Sequence, residues 1–140
     1  MDQLTNTDKE FLLEVDIEEL LDQSRVWMSR ILLWKTELGF FQKLLDSNST
    51  KFNSADEKKS EDHFQNLIIY YNGEVLDQYK QSVRRHKKNL HALSTGLATE
   101  PVQEEATRRS HIELLDKVDS FDEEFRKHKH EFIEFMEKVI

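Results

Sequence analysis

Three histidines, His86, His91 and His111, are the residues of this sequence whose type and spacing come nearest to chemistry. They flank a short Gly96–Thr99 turn. If the chain doubles back near residue 99 or 100 as two antiparallel helices, His111 comes opposite residue 88, between His86 and His91. Three imidazoles at one level could hold zinc or another transition metal, or titrate together near neutral pH. The spacing works against this, because residues five apart stand about 140° round a helix, so His86 and His91 do not face one centre. The Glu-x-x-His pair of carboxylate-bridged di-iron bundles is absent. His128 with Glu131, and His130 with Glu134, have ordinary helix-surface spacing. The expectation is core histidines hydrogen-bonded across a bundle, with no cofactor, and with His86, His91 and His111 as the candidate ligands should a metal bind.

The segment from His86 to Gly96 also resembles the phosphorylatable stretch of histidine phosphotransfer domains, which are helical bundles of similar size. That family has a solvent-facing histidine followed three places on by lysine, next by glycine, and ten places on by a second glycine. Gly96 matches the last position, whereas Lys88 stands one place early and Leu90 occupies the first glycine's place. What the resemblance implies is an exposed His86 that carries a phosphoryl group.

Around His86 runs a basic stretch, Lys80, Arg84, Arg85, Lys87 and Lys88, in a chain whose formal charge is −8. The same hairpin register brings Asp116, Asp119, Asp122 and Glu123 alongside it. Cross-hairpin charge pairing is the expectation, and such exposed pairs select a neighbour more than they stabilise it. Nucleic acid is not expected as a partner, since phosphate binding needs a basic footprint over the domain. Tyr70, Tyr71 and Tyr79 with the two tryptophans could line a ligand cavity, but aromatic stripes at helical spacing read first as core. No Ser-His-Asp order, glycine-rich phosphate loop, His-Glu-x-x-His or catalytic acid pair can be assembled, so the chain is not expected to be an enzyme.

The elements that would position these residues are helices. One Pro and three Gly in 140 residues, with 34% charged residues, suit long helices rather than a turn-rich sheet. The absence of cysteine removes disulfides and thiolate sites and suits a reducing, cytoplasmic setting. The acidic, polar start MDQLTNTDKE does not read as a secretory signal. The most apolar window, Val26 to Phe41, is interrupted by Arg30, Lys35 and Glu37 and is too short to span a bilayer, so no membrane association is expected.

Periodicity predicts an all-α fold: one domain of three long helices, over roughly 8–46, 55–95 and 100–139, with a polar loop 47–54 and a tight turn 96–99. The first seam is Ile17, Leu20, Ser24, Trp27, Ile31, Trp34, Leu38, Phe41 and Leu45, broken only by Ser24. Two capping boxes compete for its start, Thr7 with Glu10 and Asp16 with Glu19, and the apolar Phe11 and Leu13 favour the earlier. Ser54 with Glu57 opens the second helix. Its stripe is Phe64, Ile68, Tyr71, Val75, Tyr79, Val83, His86, Leu90, Leu93 and Leu97. Asn72-Gly73 is a hairpin signal inside it; the three-and-four spacing persists on both sides, so a helix kinked there is expected. Gly96 reads as a left-handed terminator with Leu97 folding back, and Pro101 restarts the chain as the third helix. That helix has the cleanest heptad: His111, Leu114, Val118, Phe121, Phe125, His128, Phe132, Phe135 and Val139. Rods of ~35 to 40 residues, roughly 50 to 60 Å long, would form an elongated up-down-up antiparallel bundle with coiled-coil-like packing.

One surplus remains. Beyond the seam and its flank of Leu21 and Met28, the first helix carries Val26, Leu33, Phe40 and Leu44 on its far side. An exposed apolar stripe marks an interface. The functional expectation is a helical interaction or scaffold module, a homodimer joined through first helices or a binder of another helical protein, with Val26, Leu33, Phe40 and Leu44 as the interface.

Overall fold

A computed structural model describes residues 15–140, and every regular element among them is helical. Helix α1 spans Ile17–Ser47. A single 3₁₀ turn, Ser49–Lys51, leads to α2, Ala55–Tyr70. A π-helical turn, Tyr71–Val75, carries the chain without interruption into α3, Leu76–Ser94, and α4 runs from Pro101 to Val139. No described helix is long and apolar enough to cross a membrane.

The start of α1 differs from the sequence expectation. Asp16 is extended, with ψ of 144°, so the backbone breaks immediately before Ile17. The helix therefore uses the later of the two starts, with Glu18 and Glu19 placing negative charge in its first turn. The Thr7–Glu10 box lies outside the described residues. At α2 the expected capping box forms: the Glu57 amide donates to Ser54 Oγ at 3.1 Å, and Glu57 Oε1 accepts from the Ser54 amide at 3.0 Å. These bonds hold the Glu57 carboxyl below its ordinary pKa. Pro101 occupies the first turn of α4, where its missing amide leaves nothing unpaired.

The Asn-Gly signal resolves as a π turn. The wider turn accommodates one more residue than an α turn and shifts the phase of the stripe behind it. Leu76 is consequently buried completely while Val75 is only half-buried. Lys35 of α1 docks against this turn, its Nζ donating to the Asn72 carbonyl at 2.9 Å and to Asp77 Oδ1 at 2.6 Å. The ammonium thus satisfies an acceptor at the irregular turn, and it depresses the Asp77 pKa.

Cross-helix contacts define how the segments run. Between α1 and the α2–α3 rod, numbers rise on one side as they fall on the other: Glu18 accepts from Ser94, Lys35 meets Asp77, and Gln42 and Gln65 exchange amide bonds of 2.7 and 2.8 Å. From that rod to α4 the sense is again opposed, Phe64 meeting Phe132 at 5.3 Å and Tyr71 donating to Glu124 at 2.8 Å. Burial and this carboxylate push the Tyr71 phenol upward. Between α1 and α4 the numbers rise together, through Arg30 with Asp119 and Asp122 and Glu37 with Lys129.

A large apolar core fills the space between them, and a second, smaller cluster of Leu20, Leu21 and Leu90 lies apart from it. Trp34 packs edge-on against Phe121 at 4.9 Å, Phe41 lies 4.7 Å from Phe132, and Phe64 reaches both Phe132 and Phe135. Phe52, in the connector read as purely polar, is buried and stacks on Phe135 at 5.2 Å. Ser24, the one polar residue of the first seam, is fully buried with its hydroxyl donating to the Leu20 carbonyl at 2.9 Å, which satisfies it within its own helix.

The two ends of the α3–α4 region test the local backbone. Gly96 has φ of +79°, as the turn requires, whereas Leu97 is 83% exposed and does not fold back. Gly73 lies in helical backbone, and nothing stands within 4 Å of an added Cβ at either glycine. Gly73→Ala should therefore raise stability by about 0.5 to 1 kcal/mol, and Gly96→Ala should lower it by about 1 to 2 kcal/mol. Urea denaturation of the two variants checks the opposite signs.

Candidate functional site

His86 stands in the third turn of α3 beyond the π turn, and His111 in the third turn of α4. Both are almost fully buried, at 3% and 1% exposure. Their rings face each other, His86 Nε2 lying 2.8 Å from His111 Nδ1. His111 Nε2 in turn lies 2.8 Å from Gln23 Oε1 on α1. Trp27 of α1 covers both imidazoles, with ring centres 6.3 Å from His86 and 4.4 Å from His111. All three rods thus contribute to one polar cluster inside the core.

Burial pulls the His86 pKa from its ordinary 6.5 down to about 4, and burial together with His86 and Arg108 pulls His111 down to about 3. Both rings are therefore neutral at pH 7. The Gln23 carbonyl accepts from His111 Nε2–H, which leaves His111 Nδ1 to accept from His86 Nε2–H. His86 Nδ1 is then the bare end of the chain of bonds, buried and without a hydrogen-bond partner among the described residues.

The two rings are hydrogen-bonded across the core, as expected, and their placement bears on the two alternatives raised for them. His91 is exposed on a different side of α3 and does not join His86 and His111, so the set His86, His91 and His111 is not a metal centre; five residues of spacing separate the rings, as helix geometry demands. A phosphoryl acceptor must meet solvent and an incoming phosphate, and His86 is shut in beneath Trp27 with Nε2 engaged. The phosphotransfer resemblance therefore fails at the residue that carries it.

Two of the four carboxylates expected beside the basic run of α3 pair with α1. Asp119 and Asp122 engage Arg30 of α1 at 3.6 and 3.3 Å, and Asp122 additionally binds Arg126 at 2.6 Å. Because α1 lies beside α4 in the same direction, its arginine reaches these carboxylates. Arg84, Arg85, Lys87 and Lys88 border a groove of about 810 Å³ with Leu21, His91 and Leu97. Of the aromatic residues weighed as a cavity lining, Tyr70 is 51% exposed while Tyr71, Trp27 and Trp34 are buried in the core. The space left beside Tyr71 is about 20 Å³, too small for a ligand.

On the outer face of α1, Val26, Leu33 and Phe40 are 56%, 59% and 57% exposed, and Leu32 is 46% exposed beside them. Leu44 departs from this set, being half-buried and packed against the core. A further grouping passed over in the sequence is His63 of α2 with His128 and Glu131 of α4. His128 and Glu131 show only the i, i+3 spacing of a helix surface, and His63 stands far away in sequence. A hairpin register centred between residues 95 and 97, rather than at 99 or 100, would have placed it opposite them.

Comparison with protein-family models, with curated proteins and with solved structures finds no match to this chain.

The buried pair makes a pH prediction with a definite sign. The unfolded chain takes up protons on both imidazoles near pH 6.5, whereas the folded chain does so only near 4 and 3. Below pH 6.5 the unfolded state binds more protons, so the contribution present above that pH is lost as pH falls toward 4, at up to about 1.4 kcal/mol per pH unit for each ring. Urea midpoints at pH 7 and pH 5, compared between the wild type and a His86→Leu/His111→Leu variant, isolate the effect; the variant should lose much less stability on acidification.

Proposed function

We propose that the three rods form an up-down-up antiparallel bundle and that this bundle is a non-enzymatic interaction module, self-associating through the outer face of α1. The bundle reading is supported by the opposed contacts of α1 with the α2–α3 rod and of that rod with α4, together with the parallel contacts of α1 with α4. The observation that carries the interaction reading is the exposed stripe of Val26, Leu33 and Phe40.

These three residues recur every seven positions, and Ser29 and Thr36 fall between them at three-and-four spacing. Large residues at one seam position alternating with small ones at the other give a second, outward seam on a helix that already has an inward one. Gly39 adds open space on this helix, since nothing lies within 4 Å of where its Cβ would stand. A helix apolar on two sides gains by burying both, and the small residues allow a neighbouring backbone to approach closely. A second copy presents the same stripe, and a two-fold axis would lay large residues of one chain against small ones of the other.

Light scattering at tens of micromolar should give twice the 16.8 kDa chain mass. Leu33→Glu with Phe40→Glu should reduce it to one chain while circular dichroism remains helical, because neither side chain belongs to the core. A wild-type protein that is monomeric in the same measurement would remove self-association from the reading.

A further inference from the structure

The second feature that the fold assembles stands apart from the α1 face and from the buried histidine pair. One ring nitrogen of His63, one of His128 and one carboxylate oxygen of Glu131 all lie within 4.8 Å of one another. They come from two rods, and the register that brings them together is fixed by core packing. Phe64, next to His63, is buried against Phe132 and Phe135 at 5.3 and 5.4 Å, and Phe132 directly follows Glu131. His63 sits at the surface with its ring 5.1 Å from that of Phe64, while His128 is half-buried with its ring 6.0 Å from Tyr71.

From this arrangement we propose that His63, His128 and Glu131 form a zinc site. Two imidazole nitrogens and one carboxylate oxygen are the donor set that borderline divalent transition metals take, and calcium or magnesium would demand more oxygens. Donors about 2.0 to 2.2 Å from a tetrahedral zinc stand roughly 3.4 Å apart. His128 Nδ1 and Glu131 Oε2 already lie 3.5 Å apart. Closing the remaining distance takes a movement of His63 on the order of 1 Å, which a side-chain rotation of an exposed residue supplies.

His128 provides a second, independent indication. Its Nδ1 is buried and lacks a hydrogen-bond partner among the described residues, although a carboxylate is its neighbour. A buried ring nitrogen of this kind is costly to leave unpaired, and a metal ion satisfies it. Two neutral imidazoles and one carboxylate leave a bound zinc with a net positive charge, favourable in a chain of formal charge −8. Three protein ligands also leave the fourth position to water.

The test is isothermal titration of metal-stripped full-length protein with zinc chloride, followed by cobalt(II) substitution and absorption spectroscopy. One zinc per chain should bind with micromolar affinity, and cobalt should give the visible bands of a tetrahedral or five-coordinate centre. His63→Ala, whose side chain is exposed, should weaken binding roughly tenfold or more without altering the circular dichroism. His128→Ala and Glu131→Gln should weaken it likewise, whereas His91→Ala and His130→Ala should leave it unchanged. Absence of binding in the micromolar range overturns the site, and so does binding that survives His63→Ala. The oligomeric state of the α1 stripe is measured separately, so the two readings stand or fall independently.

Discussion

The strip Trp27, Ile31, Trp34, Leu38, Phe41 and Leu45 along α1 is the surface on which the rest of the chain closes. Each of these side chains is nearly or fully buried, and α4 answers them in parallel register with Val118, Phe121, Phe125 and Phe132. Large aromatic groups dominate this contact and prefer edge-on or offset contacts, which discriminate between registers more sharply than aliphatic groups do. Trp34 between Phe121 and Phe125, and Phe41 against Phe132, accordingly fix how far α4 is displaced along α1. The ion pairs of Arg30 and Glu37 follow from that displacement at the edges of the same contact.

The π turn at Tyr71–Val75 is where the second rod adjusts to this strip. A straight helix from Ala55 to Ser94 would let its apolar stripe drift round the axis, and one wider turn resets the phase midway. Tyr71 precedes the reset and Leu76 follows it, both turned into the core. The irregular backbone is tied down by Lys35, so α1 supplies both the apolar surface and the polar group that the turn needs. The same packing decides which polar groups are enclosed. His86 and His111 enter the core at a level where Trp27 covers them and Gln23 reaches them, and their low proton affinity is a consequence of that enclosure.

Two kinds of surface remain once the core is closed. The outer stripe of α1 is apolar because its sequence is apolar on two sides, while the packed core covers one. The His63, His128 and Glu131 grouping arises between α2 and α4, from residues that are unremarkable on either helix alone. Neither surface depends on the buried imidazole pair.

Periodicity by itself determined the helices and their inward faces. Of the heptad, His111, Leu114, Val118, Phe121, Phe125 and Phe132 are buried and His128, Phe135 and Val139 half-buried; the Ser54–Glu57 box caps α2, and Gly96 takes the left-handed backbone at the turn, because each depends on neighbours within a few residues. Exposure of Val26, Leu33 and Phe40 was legible for the same reason, the inward seam having already claimed the opposite side of α1. Tertiary structure alone decided the rest. Whether Val75 or Leu76 turns inward, and whether Leu44 packs or faces solvent, involve small local preferences that packing overrides. Which histidines meet is decided by register between rods, and a displacement of one or two residues exchanges one set of partners for another. His91 was thereby separated from His86 and His111, and His63 was brought to His128 and Glu131.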